Sequence, residues 1–208
     1  MSEILITNAN EQSTDTEMLN GMFCLRYRVF HERLGWQVNC ENGMEKDDFD
    51  CLDPTYLVAR NEAREVEGCW RILPTTGAYM LKDIFPQLLC GEQAPEDENI
   101  LELSRFAVAP VNARENVQAA VNTVTLEMIR SVFDFAERHG IKQYVTVTSV
   151  AMERLMKRIG IPMDRFGNKK AQRVGKVLSV ACKVDINEQF RQAVYPARQP
   201  GRPRQTAA

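Results

Sequence analysis

Several marks of common enzyme classes are missing from the 208-residue sequence. None of its 11 glycines occurs as G-x-G, which excludes the dinucleotide fingerprint, and neither the P-loop nor the G-x-S-x-G pattern is present. With two histidines and six cysteines that form no C-x-x-C pair, we predict buried free thiols and no metal site. An aromatic and basic RNA-binding signature is also missing, so no nucleic-acid partner is expected.

Long hydrophobic runs are absent as well. No stretch approaches the roughly 20 apolar residues that span a bilayer, and the first eight residues lack the basic start and apolar core of a secretory signal. We therefore expect a cytoplasmic protein without a membrane span. We also expect it to be a monomer. The length suits one domain, assigned to residues 1–195, followed by a basic, Pro-containing tail at 196–208 that we expect to be disordered.

Positive charge is concentrated near the carboxyl terminus. Residues 151–208 contain 13 Lys/Arg and 4 Asp/Glu, whereas residues 1–150 contain 13 and 24. These basic residues form either a solvated face or a docking surface for an acidic partner, and composition leaves both readings open. The candidates for docking are Arg154, Lys157, Arg158, Arg165 and Lys169.

Apolar periodicity and turn signals predict helices and strands in mixed order. Helices are predicted from a capping box at 14–17 to Gly35, near 80–89, from Pro110 to Gly140, and over 151–160. Strands are predicted over 55–60, 66–73, 100–108, 144–148 and 174–184. Because strands and helices do not alternate strictly, an α/β sheet with helices on both faces is favoured.

An acid and a base lie three residues apart in the apolar strand at 99–106. Alternation of side chains puts Glu102 and Ser104 on one face, and Leu103 and Arg105 on the other. An isolated carboxylate in the centre of a sheet is costly. We therefore expect Glu102 either to pair with an arginine or to take part in chemistry.

Four segments around this strand, at 26–36, 47–50, 70–86 and 102–106, share a pattern. Together they resemble the acyl-homoserine lactone synthases, the autoinducer-synthase family of bacterial quorum sensing. The resemblance runs from about residue 20 to 166 and covers nine signature positions. These are Arg26, Phe30, Trp36, Asp47, Asp50, Arg71, Phe85, Glu102 and Arg105.

The resemblance implies both a fold and a reaction. The fold is a GNAT-like three-layer αβα sandwich with a mixed, splayed central sheet. The enzyme joins the acyl group of an acyl-acyl-carrier protein to S-adenosylmethionine, closes the lactone and releases methylthioadenosine. No cofactor is implied, because S-adenosylmethionine is a substrate, and an acidic carrier protein gives the basic residues a partner.

The residue types suit this substrate. Its carboxylate suits the guanidinium group of Arg26 or Arg105, and its ammonium suits Asp47 or Asp50. We expect Arg71 to form an ion pair with one of these acids. Aromatic faces for the sulfonium are available from Phe30, Trp36 and Phe85.

For acyl transfer, the amine must lose a proton, and Glu102 is the candidate base. The predicted catalytic set is Glu102, Arg105, Asp47 and Arg71. Backbone amides around 104–106, where the strand splays, are candidates for polarising the thioester. The predicted acyl and pantetheine site consists of Ser104, Phe106, Thr146, Thr148 and Ser149, and the resemblance links Thr148 with 3-oxo chains.

Two other functions remain open. A GNAT-type N-acyltransferase using acyl-CoA needs a glycine-containing pyrophosphate loop, yet 111–117 contains no glycine and includes an acid. A regulator that binds a small ligand on the same fold has no need of Glu102.

Overall fold

The structure is a computed structural model that describes residues 2–8, 15–110 and 123–196. Thr14 of the predicted capping box, the first part of the predicted helix after Pro110, and all of the predicted tail except Pro196 lie outside these residues. Within the described ranges, no helix combines the length and apolarity needed to cross a membrane.

One mixed sheet of eight strands organises the fold. Its order is β1-β4-β5-β6-β7-β10-β8, β9 also pairs with β10, and β2 and β3 form a separate hairpin. The strands are β1 (Glu3–Asn8), β2 (Cys40–Glu41), β3 (Met44–Glu45), β4 (Thr55–Arg60), β5 (Val66–Pro74), β6 (Ile100–Val108), β7 (Gln143–Ser149), β8 (Met163–Arg165), β9 (Gln172–Val174) and β10 (Val177–Asp185). The β6–β7 pair is parallel and the other pairs are antiparallel.

Helices cover both faces of this sheet, which confirms the predicted αβα sandwich. They are α1 (Thr16–Arg26), continued by a π-helix (Tyr27–Arg33), α2 (Met80–Asp83), α3 (Thr123–His139), α4 (Val150–Arg158) and α5 (Glu188–Val194), with 3₁₀ turns at Asp48–Cys51 and Pro86–Leu89. Side chains of β4 alternate between the layers. Tyr56 and Val58 belong to the core under α1, whereas Leu57 and Ala59 belong to the core under α3.

The sheet opens between β6 and β7. These strands pair only from Ile100 with Gln143 to Leu103 with Thr146, where the Thr146 hydroxyl donates to the Leu103 carbonyl at 2.8 Å. Just beyond this pair, β6 has a bulge opposite β5, and Arg105 adopts a left-handed φ of 57°. The predicted splay is therefore present, and it begins at Ser104.

The predicted end of the first helix at Gly35 is confirmed, because the helix continues as a π-helix to Arg33 and Gly35 adopts a left-handed φ of 63°. Its cap is Asp15, which accepts from the Glu17 and Met18 amides. Other predicted boundaries were wrong. The strand predicted over 174–184 is interrupted by a turn at Gly175, where φ is 56°. The strands β1 and β8 and the helix α5 were not predicted.

All six cysteines are free, as predicted, but they are not all buried. Cys69 and Cys182 lie in the core, whereas Cys40 and Cys51 are exposed because they belong to the polar surface segment between α1 and β4.

Candidate active site

A cluster of buried charges lies on the face of the sheet that carries α1 and α2. It is built by α1, the β2–β3 hairpin, the first 3₁₀ turn and strands β5 and β6. Three guanidinium groups and three carboxylates alternate in it: Arg26, Arg71 and Arg105 with Glu45, Asp47 and Asp50. The cluster therefore balances its own charge.

Arg26 and Asp50 form the buried centre of the charge cluster. The two Nη atoms of Arg26 donate to the two oxygens of Asp50 at 2.7 and 2.9 Å, and its Nε donates to Glu45 at 2.5 Å. Asp50 also accepts from the Tyr56 hydroxyl at 2.6 Å. Burial alone raises the pKa of Asp50, but the hydrogen bonds and charge of Arg26 and the charge of Arg71 hold it below its usual range.

Asp47 and Arg105 form the more accessible edge of the cluster. Arg71 donates to Asp47 at 2.5 Å and to Asp50 at 2.8 Å, which is the ion pair predicted for it. Arg105 contacts Asp47 at 2.6 Å and Glu45 at 3.0 Å. The side chains of Asp47 and Arg105 are 13% and 11% exposed, whereas those of the other four members are at most 1% exposed.

The prediction that Arg105 and Glu102 lie on opposite faces was wrong. The bulge shifts the alternation of β6 by one residue, because Ser104 pairs with Arg71 but Ala107 pairs with Cys69. Arg105 consequently joins Ser104 on the side of the charge cluster, where Ser104 Oγ accepts from Arg71 Nε at 3.1 Å.

Glu102 is fully buried and has backbone partners. Its two oxygens accept from the amides of Met80 and Leu81 at 2.9 and 2.7 Å. Burial raises the pKa of Glu102, although these two hydrogen bonds oppose the shift. No arginine forms an ion pair with it among the described residues, so the arginine partner predicted as the structural alternative was wrong. The role of Glu102 as a base stays a prediction.

Met80 connects Glu102 to the charge cluster. Its amide donates to Glu102, and its Sδ lies 3.1 Å from Arg71 Nη2 and 3.3 Å from Arg105 Nη1. Its sulfur therefore acts as a weak acceptor shared by two guanidinium groups.

The three predicted aromatic residues do not come together. Phe30 and Trp36 stack with centroids 5.2 Å apart, and the Arg105 guanidinium lies 5.6 Å from the Phe30 ring. Trp36 also borders an open cleft, and its Nε1 is buried without a partner in the described part of the chain. Phe85 packs instead against a separate core under α2 that includes Leu81 and Leu88.

A narrow apolar cavity of about 70 Å³ lies on the opposite face, under the splay. Residues 103–106 of β6, 146–148 of β7, α3, α4 and α5 line it. Four of the predicted acyl-site residues border this cavity: Ser104, Phe106, Thr146 and Thr148.

The predicted acyl-site hydroxyl groups of β7 differ in whether they already form hydrogen bonds. Thr146 donates across the β6–β7 pair, and Ser149 caps α4 by accepting from the Met152 amide at 3.1 Å. The Thr148 hydroxyl has no hydrogen-bond partner among the described residues, and Thr148 borders the cavity. Thr148 is therefore the hydroxyl available to a ligand, while Ser149 does not line the cavity.

Comparisons with known proteins identify the family. A family model described as autoinducer synthase matches residues 9–194. The chain is 42% identical over 191 residues to the acyl-homoserine-lactone synthase of Aliivibrio fischeri strain ES114, covering 92% of this chain and 98% of that protein. The chain belongs to the autoinducer synthase family.

Comparison with solved structures agrees with this family assignment. The crystal structure of the AHL synthase LasI matches with a TM-score of 0.81 and 36% identity, covering 94% of this chain and 96% of that one. BjaI, a CoA-dependent synthase solved with SAM and isopentyl-CoA, matches with a TM-score of 0.81 and 27% identity. The match covers 93% of this chain and 88% of that one. A putative N-acetyltransferase from Lactobacillus plantarum, at 10% identity and a TM-score of 0.56, shares the fold alone. The predicted likeness to GNAT acyltransferases is thereby confirmed.

The basic residues of the synthase divide into two groups. Lys157 and Arg165 both pair with the buried Glu153, at 2.9 and 2.5 Å. Arg154 and Arg158, exposed on α4, have no ion-pair partner within the described ranges. Lys169, also exposed, contributes its carbonyl to Arg165.

Sequence reasoning missed Glu45, Tyr56 and Met80. Glu45 follows Asn42-Gly43, a strong signal for a two-residue hairpin, and that hairpin carries Glu45 back to α1. Tyr56 and Met80 carry no such local signal, since only the packing of α1 and α2 on the sheet brings them to the cluster.

Proposed function

We propose that the protein transfers an acyl group from acyl-acyl-carrier protein to the amine of S-adenosylmethionine and closes the lactone. One observation carries the proposal: the charge cluster and the apolar cavity share a wall at residues 104–106. Ser104 and Arg105 contact the cluster with their side chains, and both residues also border the cavity. An amine held in the cluster and an acyl chain held in the cavity would meet at this wall.

The accessible edge of the charge cluster suits the amino-acid part of S-adenosylmethionine. Asp47 offers a carboxylate to the ammonium, and Arg105 offers a guanidinium to the carboxylate. Arg26 and Asp50 are less suited to these roles, because each is already saturated by partners and buried. Their task is to hold Asp47, Arg71 and Arg105 in position.

The stacked Phe30 and Trp36 provide aromatic faces beside Arg105. A cation over such a face gains about 0.5–2 kcal/mol. The unpartnered Trp36 Nε1 adds a donor for a polar atom of the nucleoside. Phe85 has no part in this proposal, since it packs in another core.

Acylation removes two protons from the ammonium nitrogen. One passes to a base, for which we retain Glu102, and the other ends on the departing thiolate. The amine attacks the thioester carbonyl as the C–S bond breaks. Because Glu102 already accepts two backbone hydrogen bonds, its remaining lone pairs reach the amine through a water.

Lactone closure is a displacement within the substrate. The carboxylate forms a C–O bond to the carbon beside the sulfonium, while the C–S bond breaks and its electron pair goes to sulfur. Neutral methylthioadenosine leaves. Opposite charges cancel in this step, so the low-dielectric surroundings of the cluster favour it.

A carrier protein is the proposed acyl donor because unpaired cations line α4. Arg154 and Arg158 are exposed on α4, the helix that begins after Ser149 at the end of β7. An acidic carrier docked there would present its pantetheine arm to the splay.

The test is a reconstitution with purified protein, S-adenosylmethionine and either acyl-carrier protein or acyl-CoA. Methylthioadenosine is measured by chromatography, free thiol by a colorimetric reagent and the lactone by mass spectrometry. We expect all three in equal amounts with the carrier. Lack of methylthioadenosine with every donor would overturn the proposal, and turnover with acyl-CoA alone would reverse the choice of donor.

A further inference from the structure

The apolar cavity runs along β7 from the splay towards α5. Thr148 borders it near the splay, and Val184, which lies opposite Tyr144, borders it at the other end. Four strand residues separate these levels, which corresponds to about 13 Å. A carbon–carbon bond of about 1.5 Å advances an extended chain by roughly 1.25 Å, so this length matches about ten carbon atoms.

The side walls of the cavity are adaptable. Met152 and Met156 of α4 and Met163 of β8 all contribute to them. Methionine has three rotatable bonds and fills irregular gaps, so these side chains can move aside for a chain that the present volume of about 70 Å³ is too small to hold.

The end of the cavity is built differently. Phe190 of α5 borders the cavity and packs against Phe133 of α3, with ring centroids 5.0 Å apart. Phe190 is 2% exposed. A ring wedged between two helices has few alternative rotamers, so it cannot yield as the methionines do.

Polar contacts hold α5 in place. Arg130 Nε donates to the Val194 carbonyl at 2.9 Å, and the Tyr195 hydroxyl donates to Asp134 at 2.7 Å. Gln189 donates to the Gly160 carbonyl at 3.0 Å, which ties α5 to the end of α4. The helix is therefore anchored to both α3 and α4.

We infer that Phe190 is the stop that limits acyl-chain length in this synthase. The inference rests on the proposed function and adds a specificity determinant to it. A chain longer than the cavity has to displace a fixed aromatic ring, whereas shorter chains only displace methionines.

The test measures kcat/KM for a series of acyl-carrier proteins that differ by two carbons. Phe190→Ala and the milder Phe190→Leu remove part of the stop, so the preferred length should increase. For Phe190→Ala, we compare kcat/KM for the chain two carbons longer than the wild-type optimum with kcat/KM for that optimum. This ratio should rise roughly 15-fold, because burying two more methylene groups contributes about 0.8 kcal/mol each. Phe190→Trp should shift the preference towards shorter chains.

Val194→Ala is the matched control. Val194 lies on the same helix and in the same core, is 2% exposed, and does not border the cavity. It should lower stability without changing the chain-length ratio by more than about twofold. If the wild type is active but the chain-length ratio is unchanged in both Phe190→Ala and Phe190→Leu, the inference about Phe190 is overturned while the proposed function stands. An inactive wild type would overturn the proposed function as well.

Discussion

Asp47 and Asp50 lie three residues apart on one 3₁₀ turn, yet their replacement by asparagine should have different consequences. Asp47 is the N-cap of this turn, a position where Asn serves about as well as Asp, and the Asp50 side chain accepts from the Asp47 amide. Both substitutions remove a charge while leaving a side-chain oxygen that can accept these hydrogen bonds. What differs is burial: the Asp50 side chain is 0% exposed and that of Asp47 is 13% exposed.

Asp50→Asn should chiefly destabilise the fold. It leaves three guanidinium groups facing two carboxylates in the cluster, and Arg26 loses its bidentate partner. Removing one partner of a buried ion pair costs about 3–5 kcal/mol. For a chain of this size, we expect Tm to fall by roughly 6–20 °C.

The pH dependence of this loss has a defined sign. The pKa of Asp50 is held below its unfolded value, so its stabilising contribution is complete above about pH 4 and declines as the pH falls further. The difference in unfolding free energy between wild type and Asp50→Asn should therefore narrow below about pH 4.

Asp47→Asn should instead weaken substrate binding. If Asp47 holds the substrate ammonium, losing a charged hydrogen bond costs about 1.5–3 kcal/mol, which raises KM for S-adenosylmethionine roughly 10- to 150-fold. Urea denaturation gives the stability of both variants, and steady-state kinetics gives KM. Equal losses of stability, or a KM for Asp47→Asn within threefold of wild type, would refute the reasoning.

Three further variants test the proposed reaction. Glu102→Gln should lower kcat about 100-fold or more with little change in KM for S-adenosylmethionine; near-normal kcat removes Glu102 as base. Thr148→Val should lower the kcat/KM ratio of 3-oxo to unsubstituted chains roughly 2- to 12-fold, the value of one hydrogen bond; an unchanged ratio contradicts a bond from its hydroxyl. Arg154→Glu combined with Arg158→Glu should raise KM for the carrier about tenfold and leave that for S-adenosylmethionine unchanged, because these cations are exposed and unpaired. Unchanged carrier kinetics removes the docking surface.

The central strands were predictable because their local signals and their tertiary surroundings agree. Thr55–Arg60 and Ile100–Val108 are rich in β-branched and apolar residues, and the predicted bounds match those observed. The strands at the edges of the sheet were harder to predict. Short strands such as Met163–Arg165 contain too few residues for a periodic pattern, and they form because β10 offers them an edge.

The helix α5 was missed although its sequence carries a cap. The Asn187 side chain accepts from the Phe190 amide, and Phe190 and Val194 are four residues apart on the buried face. Seven residues are too few for a helix to be stable on its own, so α5 depends on its contacts with α3. Local helix propensity therefore does not predict short helices that are stabilised by tertiary contacts.

The main error in the site came from assuming strict alternation along β6. Alternation holds for Leu103, which packs in the core under α3, and for Glu102, which faces α2. It fails at Arg105, because the bulge gives this non-glycine residue a positive φ, which costs energy that its surroundings must offset. The offset is the pair of ion contacts from Arg105 to Glu45 and Asp47, which a regular strand would place on the other face. The same bulge ends the pairing with β7 and opens the cavity, so one local irregularity creates both halves of the site.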